Sequence, residues 1–242
     1  MTSQVLRRTT PQKMEFILHA GGITPDGKLG SNSLEALNCS YEQGYRNIEM
    51  DFCWIGDRDL VCIHDWDSYY GNEVAEGTVK QFDEIRSSRY GFTSMTLDHL
   101  AQWLREHPDV RIITDIKEDN EEGTSLIAQR YPDLIGQFII QIYHYDEYKP
   151  VALLGFKNII LTVYQMAWEE KTNQAELEKF ISTHRLIGLT FPEVLLDYPI
   201  YGDMIFADKV PLYVHTVNDG ELQKKYLDMG ISGIYTDIGK AF

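Results

Sequence analysis

The run Asn47-Ile48-Glu49-Met50-Asp51-Phe52 alternates apolar and acidic residues, and Arg111-Ile112-Ile113-Thr114-Asp115-Ile116-Lys117 ends in the same manner. Successive side chains of a strand face opposite sides, so Glu49 and Asp51 share one face of the first run. Asp115 and Lys117 share one face of the second. Two further apolar runs close on histidine: Phe16-Ile17-Leu18 on His19, and Leu60-Val61-Cys62-Ile63 on His64. Taken singly, each residue has an ordinary explanation, such as a hydrogen-bonded structural histidine or a carboxylate paired with Arg46. Six of them at strand ends point instead to the mouth of a barrel, where functional side chains come from the C-terminal ends of several strands.

Working outward, β-rich runs at 16–19, 47–52, 111–116, 137–142, 158–163, 186–190, 211–216 and 233–237 are interleaved with helical patterns. The helical stretches are 33–44, 97–107, 121–131, 145–154, 168–182, 199–208 and 219–230, with Pro132, Pro150 and Gly230 near their ends and Asn218 or Asp219 as an N-cap. Strict alternation means a parallel sheet, and eight repeats in 242 residues predict an α/β fold of the closed (β/α)8 TIM-barrel type, with an open doubly wound sheet as the rival. The run 60–63 falls outside this count. It follows Gly56-Asp57-Arg58-Asp59 and reads as the return of a hairpin that carries His64 back over the mouth. Residues 65–96, with Trp66, Tyr69, Tyr70, Tyr90 and Phe92, form a long aromatic, glycine-rich stretch, expected to act as a lid. One domain spanning 1–242, with an insert at 53–96, is the expectation.

Lysine and arginine number 22 against 37 acidic residues, a net charge of −15, which argues against nucleic acid or an anionic membrane as the main partner. A small phosphate ester responds to the local field of a site and is not excluded. Cys39, Cys53 and Cys62 are an odd number without framework spacing, so reduced thiols and a cytoplasmic location are expected. Met1–Lys13 carries Arg7 and Arg8 but no apolar stretch of leader or membrane-span length.

Three carboxylates without zinc-type cysteine or histidine spacing suit a hard divalent cation, Ca²⁺ or Mg²⁺, on Glu49, Asp51 and Asp115. Such an ion neutralises charge on a phosphate, and Lys117 adds a point charge to the same group. His19 and His64 suit a proton-transfer pair, since free imidazole titrates near pH ~6.5. His144 and His215 follow strands and are candidates for lining the mouth, whereas His99, His107 and His184 fall on helical patterns and read as structural. A P-loop, a dinucleotide fingerprint and a serine nucleophile elbow are all missing from the sequence.

In order along the chain, His19-Ala20-Gly21-Gly22, Asn32-Ser33-Leu34-Glu35-Ala36, Glu49-Met50-Asp51, His64-Asp65, Asp115-Ile116-Lys117, Thr216-Val217-Asn218 and Gly233-Ile234-Tyr235-Thr236-Asp237 resemble the glycerophosphodiester phosphodiesterase family. The resemblance implies a (β/α)8 barrel that hydrolyses a small phosphodiester to an alcohol and a phosphomonoester with a divalent cation. It places the paired histidines on His19 and His64, the metal ligands on Glu49, Asp51 and Asp115, and the phosphate-contacting lysine on Lys117. Asn32, Gln141 and Tyr143 are the further expected substrate contacts. Ala20 stands where the family usually has arginine, Ser31 where it usually has glutamate, and Asp115 where glutamate is commoner. Aspartate before Ile-Lys also resembles the sphingomyelinase D-type phospholipases. Cleavage of a membrane lipid through a cyclic phosphate, or a phosphate-binding pseudoenzyme, are the alternatives.

Overall fold

From Phe16 onward the chain lays down strand and helix in turn. The computed structural model describes residues 14–207 and 209–242, so the segment Met1–Lys13 lies outside the described residues. The first elements are β1 (Phe16–Leu18), α1 (Leu34–Glu42), β2 (Asn47–Ile55), β3 (Asp59–Cys62), α2 (Asn72–Ala75), α3 (Val79–Ile85) and β4 (Met95–Thr96). There follow α4 (Leu97–Glu106), β5 (Arg111–Ile116), α5 (Asn120–Arg130), β6 (Phe138–Ile142), α6 (Tyr148–Leu153), β7 (Ile159–Thr162), α7 (Trp168–Lys171) and α8 (Gln174–Thr183). The last are β8 (Gly188–Pro192), α9 (Pro199–Ala207), β9 (Leu212–His215), α10 (Gly220–Met229) and β10 (Gly233–Thr236).

Strands run in the order β1-β10-β9-β8-β7-β6-β5-β2, all parallel, and β1 also pairs with β2, which closes the barrel. This is the (β/α)8 TIM barrel expected from the strand–helix alternation. Inward-facing Ile17, Ile113, Ile139, Ile160, Tyr213 and Tyr235 plug its interior together with Met14. A larger apolar cluster, including Leu100, Ile112, Ile140, Leu161, Leu189 and Phe191, fills the space between strands and helices. Gly188 has a packing reason: a Cβ there would drive into the Tyr213 ring.

Local chemistry sets the helix starts. Ser33 accepts from the Ala36 N–H at 3.2 Å, Thr96 from the His99 N–H at 3.2 Å, and Asp219 from the Leu222 N–H at 2.9 Å. Gly230 ends α10 in the left-handed region at φ 104°. Two helical expectations change in detail. The stretch 145–154 opens as a 3₁₀ turn, so Pro150 falls in the first turn of α6, where its missing N–H costs nothing. The stretch 168–182 divides into α7 and α8, because the Asn173 side chain caps the second helix by accepting from the Glu176 N–H.

The hairpin after Asp51 is present: β2 runs on past the barrel and pairs antiparallel with β3, and β3 with β4. The aromatic stretch that follows is packed rather than open. Tyr70 and Phe92 are buried, and Trp66, Tyr69 and Tyr90 are partly buried; Trp66, Tyr69, Tyr70 and Tyr90 pack with Phe82, Ile55, Val61 and Ile63 in a satellite core. A segment with two short helices has little other apolar surface, so its rings must cover one another. The insert is anchored where it returns, since the Glu35 carboxylate accepts from both the N–H and the hydroxyl of Thr93 at 2.8 Å.

Candidate active site

Register brings the acidic residues together. The β2–β5 ladder pairs Asp51 with Asp115, and the β1–β2 contact of Leu18 with Ile48 sets His19 beside Glu49. Carboxylate oxygens of Glu49, Asp51 and Asp115, all three residues buried, lie within 4.8 Å of one another. Lys117 Nζ donates to Asp51 Oδ1 at 2.9 Å, stands 3.7 Å from Asp115 Oδ2, and reaches the His64 carbonyl at 3.3 Å.

Each carboxylate is held differently. Glu49 Oε2 accepts from the Ala20 N–H at 2.7 Å, a bond made available because Ala20 sits at φ 49° in the turn His19–Gly21. Asn32 grips Asp51 at two points: its Nδ2 donates to Asp51 Oδ2 and its Oδ1 accepts from the Asp51 N–H, both at 2.9 Å. Asp115 Oδ1 accepts from the hydroxyls of Tyr143 and, at 2.8 Å, Tyr164. Burial and the charge of Asp51 push Glu49 well above the ordinary carboxylate range and raise Asp115. Asp51 is also buried, but Lys117 and the Asn32 bond outweigh that and lower it. Burial works against charge on Lys117, but Asp51 and Asp115 outweigh it and raise its pKa.

Three converging oxygens with more negative charge than Lys117 and His19 can balance are the donor set of a hard cation. An added divalent charge would let Glu49 and Asp115 ionise fully. The residues present therefore fit such an ion.

The two histidines share one design. His19 Nδ1 meets Asp237 Oδ1 at 2.7 Å, and Asn218 positions that carboxylate by donating to Oδ2 at 2.6 Å and accepting from the Asp237 N–H at 2.9 Å. His19 Nε2 is left facing Glu49 Oε2 at 4.0 Å. Burial opposes charge on His19, but the Asp237 bond and the Glu49 and Asp51 charges prevail, and its pKa rises to about 9. His64 Nδ1 meets Asp65 Oδ2 at 2.6 Å, and its ring is half exposed at the rim. Burial would raise Asp65, but its bonds to His64 and Ser68 hold it at about 2.

Placement of the expected substrate contacts varies. Gln141 lines a small cavity together with His19, Glu49, Asp115, Thr162, Tyr164, His215 and Tyr235. Asn32 and Tyr143 are buried against Asp51 and Asp115 respectively, so in this structure they orient carboxylates. Of the mouth histidines, His215 lines the cavity while His144 lies 4.0 Å from Glu170. His99, His107 and His184 each bond within their own helix neighbourhood, as expected of structural residues. Sequence reasoning passed over Asp237, Asn218, Asp65 and Tyr164 as site residues. For the first three the signal was available, since each sits in a quoted strand-end motif; Tyr164, just past β7, carried none.

Fold and site together define an α/β barrel with a buried acidic cluster at its mouth. The chain belongs to the glycerophosphoryl diester phosphodiesterase family, whose model matches residues 20–238. Among solved structures, it is similar to a glycerophosphodiester phosphodiesterase from Parabacteroides distasonis, with 20% identity, 93% of this chain and 94% of that one covered, and a TM-score of 0.71. The corresponding enzyme from Thermotoga maritima gives 18%, 93%, 95% and 0.69. A phosphodiesterase from Oleispira antarctica in complex with the product sn-glycerol-3-phosphate gives 18%, 93%, 93% and 0.69. At these identities the likeness bears on the fold. No curated protein is significantly similar in sequence.

Proposed function

We propose that this protein hydrolyses a glycerophosphodiester to an alcohol and a phosphomonoester, with His19 and His64 in proton transfer and a divalent cation on Glu49, Asp51 and Asp115. The observation that carries the reading is the convergence of three buried carboxylates at a barrel mouth, with Lys117 and His19 at their edge, in a chain of this family. Bound there, Ca²⁺ or Mg²⁺ supplies positive charge that offsets the negative charge growing on the phosphoryl oxygens. Lys117 adds a second positive charge beside Asp51 and Asp115. The imidazoles of His19 and His64, each backed by an aspartate, have one nitrogen left for substrate. One takes a proton from the attacking water as its oxygen bonds to phosphorus, and the other supplies a proton to the departing alkoxide as the P–O ester bond breaks. Asn32 and Tyr143 act as positioning residues for Asp51 and Asp115, and Gln141 stays available to substrate.

A lipid substrate would need an exposed apolar entry, and the aromatic residues of 65–96 are the segment that could offer one. Their packing into a satellite core removes that support and favours a small diester. Among the described residues no helix is long and apolar enough to cross a membrane. All three cysteines are free, which suits the reducing cytoplasm, and one (β/α)8 domain with an insert accounts for the described chain. The test is ³¹P NMR of the protein with Mg²⁺ or Ca²⁺ and glycerophosphoethanolamine. The expected product is glycerol phosphate with free ethanolamine. Cation binding without turnover of any diester would establish a pseudoenzyme instead.

A further inference from the structure

The insert returns to the barrel just ahead of β4, beside the turn that carries Asn32, and the two segments are bonded to one another. The Leu34 N–H donates to the Thr93 carbonyl at 2.9 Å, and Ser33 pairs with Ser94 in an antiparallel bridge. The Glu35 carboxylate accepts from the Thr93 N–H and hydroxyl at 2.8 Å each. Tyr70, in the satellite core, meets Ser94 Oγ through its hydroxyl at 2.8 Å. Burial works to raise the pKa of Glu35, but the bonds from Thr93 prevail and lower it. Its carboxylate is therefore ionised at neutral pH, and the bonds it accepts are charge-assisted.

The other side of that turn is the acidic cluster. Asn32 holds Asp51 at two points, and its own N–H donates to the Ala20 carbonyl at 3.0 Å. The Ala20 N–H in turn donates to Glu49 Oε2 at 2.7 Å. Asn32 and Ala20 stand at φ 50° and 49°, in the left-handed region, which for an alanine in particular persists only where the surroundings impose it. Regular structure does not impose it, because β1 ends at Leu18 and α1 begins at Leu34. The bonds instead form one path, from Thr93 through Glu35 and Leu34 to Asn32, and from there to two of the three carboxylates.

We propose that Glu35 is a positioning residue for Glu49 and Asp51: by clamping Thr93 it fixes the turn through which Asn32 and Ala20 hold those carboxylates, and the insert buttresses the cation site. The inference rests on the cation assignment above. It adds a function for the insert's packed core and a residue outside the cavity that sets cation affinity.

The test compares wild type with Glu35→Ala, Glu35→Gln and Thr93→Ser, with folding checked by circular dichroism. Two readouts are used, neither of them turnover. The first is affinity for Mg²⁺ and Ca²⁺, measured by calorimetry on chelator-treated protein. The second is hydrogen exchange of the Ala20 and Asp51 amides, followed by NMR in chelator. Replacing a residue that orients a metal ligand costs roughly 10–100-fold in affinity. Glu35 acts one bond further out, so Glu35→Ala should weaken the cation by about tenfold. It should speed exchange of both amides by a similar factor, with the amides of β6 and β7 unchanged. Glu35→Gln keeps one acceptor oxygen and should fall between, and it carries the test if Glu35→Ala does not fold. Thr93→Ser keeps both donors and should match wild type. Unchanged exchange in the Glu35 variants overturns the proposal, and so does faster exchange with undiminished affinity in a protein that binds the cation. Faster exchange of both amides in a protein whose wild type binds neither cation leaves the buttress standing and removes the cation assignment.

Discussion

Replacing Asp237 with asparagine keeps the side-chain shape but removes the charge that His19 Nδ1 meets at 2.7 Å. His19 stands at about 9 against an ordinary 6.5: burial works against its charge, and the Asp237 bond followed by Glu49 and Asp51 outweighs burial. That difference, at ~1.36 kcal/mol per pH unit, favours the imidazolium by roughly 3 kcal/mol. The ring is 32% exposed, and solvent screening reduces the stabilising share to ~1–2 kcal/mol. Because the folded pKa lies above the unfolded one, this contribution is complete below pH 6.5 and disappears as pH rises through about 9. In chelator, wild type should therefore lose stability to urea between those values, and Asp237→Asn should be weaker at pH 6 with a flatter profile. NMR of the His19 ring should show its titration moving down by at least one pH unit in the variant. Mg²⁺ should move it down in wild type as well, because a cation cancels the Glu49 and Asp51 charges. A wild-type ring titrating between pH 6 and 7 in chelator, or one indifferent to Asp237→Asn, would refute the electrostatic account of this dyad.

Other expectations follow from the same geometry. His19→Ala and His64→Ala should each stay folded and lose ~10²–10⁴-fold in turnover, and the double variant should be little worse than the poorer single; fully multiplicative losses would show that they do not work as one unit. Chelation should abolish activity and lower the melting temperature, with Mg²⁺ or Ca²⁺ restoring both and Asp51→Asn weakening the cation's effect; full activity after exhaustive chelation would exclude the cation. Phe82→Ala should destabilise by ~3–5 kcal/mol, because Phe82 is fully buried among Trp66 and Tyr70. An altered preference among head groups with unchanged melting temperature would show that the insert acts as a lid and not as a core.

Alternation along the chain was enough to give the parallel barrel, seven of its eight strands to within a residue or two, and the hairpin after Asp51, where the remaining strand runs on to Ile55. It also placed His19, Glu49, Asp51, Asp115 and Lys117 on one end, because a strand's facing is fixed by its immediate neighbours and barrel strands all end on the same side. Neighbouring residues carry no information about closure. Asp237 reaches His19 across almost the whole chain only because β10 pairs with β1, and Tyr143 and Tyr164 reach Asp115 only because β6 and β7 follow β5 around the ring. The role of Asn32 changed for the same reason: its two bonds to Asp51 depend on how the turn after β1 folds back over β2. Composition shows which rings the insert contains, but their exposure depends on what they meet. Phe82, Trp66 and Tyr70 find one another in three dimensions and form a core there. Strand-end chemistry is thus local and readable in sequence, whereas the partners that orient and charge it are decided by long-range register.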